Sequence, residues 1–239
     1  MGEIDPELLD LHEAWAGSDG REGRRLVLRR ADLRNAMLAN SNLSGADLTE
    51  ADLVGADLLG AGLYRTVLRG ANLTGASLSG PYVIQVDLTG ANLTGANLNK
   101  ADLSDAKLVG ATLRGAQCVK TDFTGADLTG ADLSRAWLFG TYLSGTVLDG
   151  VNLTETDVRL VFSCERIDVS HVSGMMGAIA CLTDTVAVIG DGPERLVSVP
   201  ELVEVLNRRG AKVVMWSQGE RPPEVKWRWG RYGYASTVV

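Results

Sequence analysis

A leucine recurs every five residues through the middle of the chain, and this spacing constrains the fold more than any other feature. From Leu28 to Val158 the register holds for 27 consecutive centres, and 23 of them are leucine. The exceptions are Val83, Cys118, Phe123 and Val158. A period of five fits neither the 3.6 residues of a helical turn nor the two-residue alternation of a strand. Each repeat therefore needs a corner.

The residues around each centre indicate how such a corner forms. A small residue, mostly alanine, stands two positions before the centre, as in Ala46, Ala51 and Ala71. Asp or Asn directly precedes most centres, and Ser or Thr and then often Gly follow, which are turn-forming types. If one repeat forms one side of a square coil, the small and large apolar residues point inward and the coils stack by backbone hydrogen bonds. No single repeat buries its own core, so the array must be cooperative.

The pattern A-(D/N)-L-x-x resembles the pentapeptide-repeat family over residues 26–160. The resemblance implies an all-β solenoid, a right-handed quadrilateral β-helix with four repeats per coil. On that geometry the repeats make nearly seven coils. With a stacking distance of ~4.8 Å, the column is roughly 32 Å long.

The segments on either side of the repeats are predicted to be separate units, giving boundaries at 1–25, 26–160 and 161–239. Residues 5–16 predict a capping helix with Asp5 as N-cap and Pro6 at its first position. The C-terminal segment predicts a small α/β appendage with strands at 185–189 and 211–216. A helix between them starts at Ser198 and ends at Arg209. Each unit is expected to cover one end of the column.

The ionisable residues do not form a catalytic or metal-binding pattern. Cys118, Cys164 and Cys181 lack C-x-x-C spacing, which argues against a disulfide framework and a zinc site. Cys118 is a repeat centre, and we expect it to be buried and inert. His12 and His171 lie in different terminal units. We therefore predict no catalytic residues, no cofactor and no metal, and a protein that is not an enzyme.

Charge and hydropathy bear on location and partners. The net charge of −7 and the pI near 4.9 disfavour non-specific binding to nucleic acid or anionic lipid. The acidic N-terminal segment does not resemble a signal peptide, and no stretch approaches the ~20 apolar residues of a membrane span. The sequence predicts a cytoplasmic protein or a phage-particle component. Its expected partner is a protein, with homo-oligomers included.

Large apolar side chains at outward positions predict an interaction surface, because exposed aromatic patches commonly mark contacts. Two adjoining sides of the coil carry them, and the C-terminal tail adds aromatic residues among basic ones. Alternatively, the C-terminal unit covers the patch, and the tail packs on its own domain or contacts nucleic acid. The candidates are Leu59, Tyr64, Tyr82, Ile84, Trp137, Phe139, Tyr142, Trp227, Trp229 and Tyr232.

Three functions are compatible with these features. The favoured one is a non-catalytic scaffold for protein–protein contacts, homo-oligomeric or part of a phage assembly. The resemblance also suggests a DNA-mimic modulator of a type II topoisomerase, since gyrase-protecting family members mimic DNA along an acidic rod. The repeat region has a net charge of only −3, which weakens that alternative. An enzyme in residues 161–239 is the third.

Overall fold

A computed structural model describes residues 4–80, 83–162, 166–181, 185–189, 193–215, 227–228 and 235–236. Most of the repeat region has no extended strands, because a corner occurs once in every five residues. Instead, single residues form parallel bridges to the coils before and after them. The named elements are α1 (Pro6–Gly17), β1 (Trp137–Tyr142), β2 (Asp157–Phe162), β3 (Arg166–Asp168), β4 (Met176–Cys181), β5 (Thr185–Ile189), β6 (Arg195–Ser198), α2 (Val199–Arg208), β7 (Lys212–Met215), β8 (Trp227–Arg228) and β9 (Ala235–Ser236).

Parallel bridges join residues twenty positions apart, so one coil contains four repeats. Val27 pairs with Asp47, and Asp47 pairs with Val67. The four sides of the coil are numbered from the repeats centred on Leu28, Leu33, Leu38 and Leu43. Residues twenty apart therefore form a column on one side, and their side chains stack at the ~4.8 Å spacing of neighbouring strands.

Each corner is a tight turn with one residue in the left-handed region. The amide of Ala46 donates to the carbonyl of Leu43 at 2.9 Å, and Gly45 between them has φ +73°. This is the conformation that a type II turn requires at its third residue. The residue before the centre stabilises the same turn: Asp47 Oδ1 accepts from the backbone N–H of Thr49 at 3.1 Å.

The core is a column of leucines and small residues inside the square coil. The side chains of Leu43, Leu48 and Ala46 are fully buried. Phe123 takes the place of a leucine centre and is also fully buried. Where threonine replaces alanine, its hydroxyl donates to a carbonyl of the preceding coil, as Thr121 Oγ1 does to Leu98 O at 2.7 Å. The substitution thus leaves no buried hydroxyl without a partner.

Helix α1 lies against the first coil. Its N-cap is Asp5, whose carboxylate accepts from the backbone N–H of Glu7 at 3.0 Å. The side chain of His12 is buried, and its Nδ1 accepts from the backbone N–H of Leu26 at 3.0 Å. The ring of Trp15 stacks on His12 with 5.5 Å between centroids. Leu8 and Leu9 pack against the core of the coils.

The parallel stack continues past residue 160, so the boundary predicted there coincides with no break in the pairing. Strands β1, β2, β4 and β7 form one parallel sheet in that order. A turn with the geometry of a repeat lies at Val172–Met175, where Met175 N donates to Val172 O at 3.1 Å and Gly174 has φ +72°. Leu153 N donates to His171 O at 2.7 Å, which stacks this turn on the previous coil.

The chain leaves the stack between β4 and β7. This excursion contains β5, β6 and α2, and β5 pairs with both β3 and β6 in a three-stranded sheet. The amide of Ser198, the N-cap of α2, donates to Glu201 Oε2 at 2.8 Å. Neither helix in the described part of the chain has the length and apolarity needed to cross a membrane.

Candidate interaction surface

The predicted interaction residues of the repeat region lie on the third and fourth sides of the coil and in the turns that end these sides. Leu59 and Phe139 occupy one column of the third side, directly after their centres. Tyr64 and Ile84 occupy the equivalent column of the fourth side. Because the columns are straight, the distance between two residues of a column is the number of coils between them multiplied by ~4.8 Å.

One group of side chains, the N-terminal patch, consists of Leu59, Tyr64 and Ile84. The side chains of Leu59 and Tyr64 are 49% and 43% exposed, and Ile84 is half-buried one coil further on. The guanidinium of Arg65 lies 4.9 Å from the centroid of the Tyr64 ring. Arg65 Nε also donates to Gln85 Oε1 at 3.0 Å, so the cation is held beside the aromatic ring.

The C-terminal patch consists of Trp137, Phe139 and Tyr142, all in β1. Trp137 and Phe139 are half-buried, whereas Tyr142 is 54% exposed. The backbone carbonyl of Trp137 accepts from Cys118 N at 2.8 Å, and that of Phe139 accepts from Lys120 N at 2.7 Å. The previous coil therefore fixes the backbone of this patch.

Four coils separate Leu59 from Phe139 within their column, a distance of about 19 Å. The residues between them in this column are Ser79, Asn99 and Val119, and Asn99 ties two coils together. Its Oδ1 accepts from Val119 N at 2.9 Å, and its Nδ2 donates to Gln117 Oε1 at 3.3 Å. The structure thus arranges the predicted residues as two patches that are separated along the column.

Four of the candidates belong to neither patch. Tyr82, Trp229 and Tyr232 are outside the described residues. The backbone of Trp227 lies in β8, which pairs antiparallel with β9, and its side chain is not described. For these four residues, as for those of the two patches, the interaction surface stays a prediction.

Some exposed apolar side chains were not among the predicted candidates. Met37 is 86% exposed on the third side, and Val27 is 53% exposed on the first side. Both stand directly before a centre, where Asp or Asn is common. An apolar residue in that outward position was the sequence signal that could have identified them.

The Cys and His side chains of the described part of the coil do not form a reactive or metal-binding group. Burial raises the pKa of the Cys118 thiol to about 12, so the thiolate that would react is disfavoured. His171 is exposed, and its backbone carbonyl takes part in stacking. Among the described residues no group of His, Cys, Asp and Glu side chains could hold a metal ion. Cys164 lies outside the described residues.

Several acidic side chains on the coil are paired with arginines across neighbouring coils. Arg29 binds Asp47 at 2.7 Å, and Arg69 binds Asp87 at 2.7 Å in the same way two coils further along the first side. Burial opposes ionisation of Asp47, but hydrogen bonds from Arg29 and Thr49 outweigh it and lower its pKa to about 2. These charges therefore stabilise the stacking of the coils.

Together, the twenty-residue bridges, the repeated turns and the leucine column define a class of protein, the solenoids built from square stacked coils. A family model for pentapeptide repeats matches in 8 copies, over residues 27–61, 55–80, 71–108, 82–115, 106–145 and 126–161. These matches span more than half of the chain, and the protein belongs to the pentapeptide-repeat family. The fold of that family is the right-handed quadrilateral β-helix.

Solved structures of the same family show similarity to the chain. HetL, a pentapeptide repeat protein involved in heterocyst differentiation regulation from the cyanobacterium Nostoc sp. strain PCC 7120, is 31% identical over 68% of this chain and 67% of its own, with a TM-score of 0.30. Rfr23 from the cyanobacterium Cyanothece 51142 is 28% identical over 58% of this chain and 85% of its own, with a TM-score of 0.32. QnrB1, a plasmid-mediated fluoroquinolone resistance protein, is 16% identical over 78% of this chain and 98% of its own, with a TM-score of 0.25. No curated protein matches the sequence.

Proposed function

We propose that this protein is a non-catalytic scaffold that binds a protein partner through the N-terminal and C-terminal patches. The observation that carries the proposal is the exposure of Leu59, Tyr64 and Tyr142 on the regular stacked coils. Tyrosine is enriched at binding hot spots because its ring buries a large area while few side-chain torsions are fixed. Each patch offers at least one such ring.

The coil positions these patches with little freedom. The backbone of the C-terminal patch is hydrogen-bonded to the coil before it, and Tyr64 is held by its contact with Arg65. Binding therefore orders few additional groups, which lowers the entropic cost of association. A partner that contacts both patches must span about 19 Å along the column.

The second candidate is the DNA-mimic modulator of a type II topoisomerase, and the charge pairing acts against it. A mimic needs carboxylates that are free to replace phosphates. On this coil Asp47 and Asp87 are bound by Arg29 and Arg69, and Glu50 is bound by Arg30 at 2.5 Å. Such pairs neutralise one another, so these three carboxylates are not free to replace phosphates.

We also assign residues 161–239 a structural role in covering the C-terminal end of the column. The parallel pairing of β4 on β2 and of β7 on β4 supports this role. Self-association, if it occurs, would use the patches or this terminal segment. Light scattering at several concentrations distinguishes a monomer from an oligomer.

Site-specific photo-crosslinking tests the scaffold proposal in living cells. A photoreactive phenylalanine analogue replaces Tyr142 in one variant and Thr74, on the polar second side, in the control. A discrete adduct formed only from position 142 supports the proposal, and its mass distinguishes a second copy from another protein. Equal labelling from both positions, or none from either, would contradict it.

A supercoiling assay with purified gyrase tests the alternative on the same preparation. Inhibition at stoichiometric protein that weakens with added salt would favour the DNA mimic, since counterion release makes such binding salt-dependent. Unchanged supercoiling together with adduct formation from position 142 would leave the scaffold as the function.

A further inference from the structure

A cleft of about 290 Å³ lies between α1 and the outer edge of the first coil. Helix residues Leu8 and Leu11 form one wall. Residues 24–28, which lead into the first repeat, form the other. Leu11 and Val27 are exposed there although both are apolar. No residue of either patch lines the cleft, so it requires an explanation of its own.

The local backbone holds the cleft open in a fixed shape. Gly23 has φ +69°, and a Cβ at this position would stand 2.1 Å from the carbonyl oxygen of Leu11. The chain thus turns directly beneath the helix. Arg24 N then donates to Leu11 O at 2.8 Å, and Leu26 N donates to His12 Nδ1. These bonds fix the strand that follows.

Val27 presents an unused strand edge to this cleft. In later coils, the residue at the same position bonds twice to the coil before it: Asp47 N donates to Leu26 O at 2.9 Å, and Asp47 O accepts from Leu28 N at 2.8 Å. Val27 has no such coil before it. Within the described part of the chain its N–H and C=O have no hydrogen-bond partner. An unpaired edge of this kind is a template for another strand.

The charge of the cleft is positive. Its lining residues are apolar except for Arg24 and Arg25. Arg25 is fixed, because its Nε donates to Gly45 O at 2.7 Å and its guanidinium lies 5.9 Å from the centroid of the Trp15 ring. Arg24 is exposed, and among the described residues its side chain has no carboxylate partner. The site therefore complements a carboxylate placed beside an apolar side chain.

We propose that the cleft binds an extended acidic segment of a partner protein by strand addition at Val27. The segment accepts one hydrogen bond from the N–H of Val27 and donates one to its C=O, as the coils do to each other. One apolar side chain of the segment packs against Leu8, Leu11 and Val27. A neighbouring carboxylate binds Arg24 and the free donors of Arg25. The occupant is thus an acidic peptide, recognised through its backbone and its charge.

Fluorescence anisotropy with a short labelled peptide tests the proposal on the full chain. In the probe glutamate alternates with valine, and in the control peptide lysine replaces glutamate. We expect saturable binding of the glutamate peptide only. Arg24→Gln should weaken it about three- to fivefold, the usual effect of losing one exposed ion pair. Arg114→Gln, at an exposed arginine of the second side, should leave it unchanged.

Backbone recognition has its own test in Val27→Pro. Proline removes an N–H that has no partner within the chain, so this edge position tolerates it better than a paired one. Loss of one hydrogen bond should weaken binding of the glutamate peptide about fivefold. In the wild-type protein, amide exchange at Val27 should slow when the peptide is added.

Several results would overturn the proposal. One is equal binding of the lysine peptide, and another is no saturable binding of the glutamate peptide. Unchanged affinity in both Arg24→Gln and Val27→Pro would also refute it, as would Val27 exchange that does not respond to the peptide. None of these results bears on crosslinking from position 142, so the cleft and the patches are tested separately.

Discussion

Protonation of His12 should loosen the contact between α1 and the first coil. The ring is fully buried, and its Nδ1 accepts a hydrogen bond from Leu26 N, so the proton of the neutral ring resides on Nε2. Nε2 is buried without a partner of suitable geometry. A second proton would have to bind at Nδ1, which would abolish the bond to Leu26 and place a charge in the core.

The pKa of His12 is accordingly below its usual value of 6.5. Burial is the largest cause, the carbonyls of Leu43 and Ser44 oppose it, and the positive charge of Arg25 adds to it. The unfolded chain takes up the proton first as the pH falls. The stability contributed by neutral His12 is therefore complete above pH 6.5. Below it, the free energy of unfolding falls by at most about 1.4 kcal/mol per pH unit, until the lowered pKa of the folded state is reached.

Urea unfolding followed by circular dichroism from about pH 7.5 to 5.5 measures this loss. His12→Asn keeps an acceptor for Leu26 N but cannot titrate, so its stability should be nearly independent of pH in this range. His12→Leu leaves Leu26 N unpaired and should cost about 1–3 kcal/mol at pH 7.5. His171→Asn, at the exposed histidine, is the matched control and should retain the pH dependence. If His12→Asn retains it as well, the reasoning is wrong.

Three further predictions concern the coil and its N-terminal contact. Gly23→Ala should lower the free energy of unfolding by more than about 1 kcal/mol, because its Cβ would collide with Leu11 O. Thermal unfolding measures this loss, and Gly17→Ala, where a Cβ meets no atom within 4 Å, is the control. Phe123→Ala should cost about 3–5 kcal/mol by leaving a cavity in the core, and Phe123→Leu, which restores the repeat, should cost less in the same urea titration. Cys118 should resist iodoacetamide in the folded protein at mildly alkaline pH and react once urea unfolds it, as site-resolved mass spectrometry would detect.

Much of the fold follows from the five-residue register, because every centre has the same environment. Leucine and alanine positions determine what is buried, and residues such as Asp47 and Gly45 make the turn between two buried positions. Family membership could likewise be predicted, because the signal repeats along more than half of the chain. Asp5 is the N-cap of α1. This position could be predicted because a proline directly after an acidic residue is a strong local signal for a helix start.

The continuation of the stack past residue 160 was not predicted, since the register changes there. The turn at Val172 lies nineteen rather than twenty residues beyond the one at Leu153, and a strict period of five does not reach it. Its sequence, Val172-Ser173-Gly174, nevertheless has the turn residues of a repeat. Ala211 and Val213 repeat the small and large buried positions after the excursion, and both are buried.

The candidate site was harder to predict, because exposure depends on neighbours that sequence alone does not place. The column position of Leu59 or Tyr142 could be counted along the chain. The contact of Arg65 with Tyr64 could not be predicted from the sequence, and the free edge of Val27 could not be predicted either. That edge depends on how α1 crosses the first coil, which is a tertiary contact between segments with no shared period.

Because residues twenty apart are bridged, each coil adds the same length to the column. Duplication or loss of one whole coil between Leu59 and Phe139 would move the two patches apart or together by ~4.8 Å without turning either to another side. Gain or loss of a single repeat would instead rotate everything beyond it by a quarter turn. Distance and direction between binding elements can therefore change in discrete and independent steps during evolution, while the leucine core remains the same.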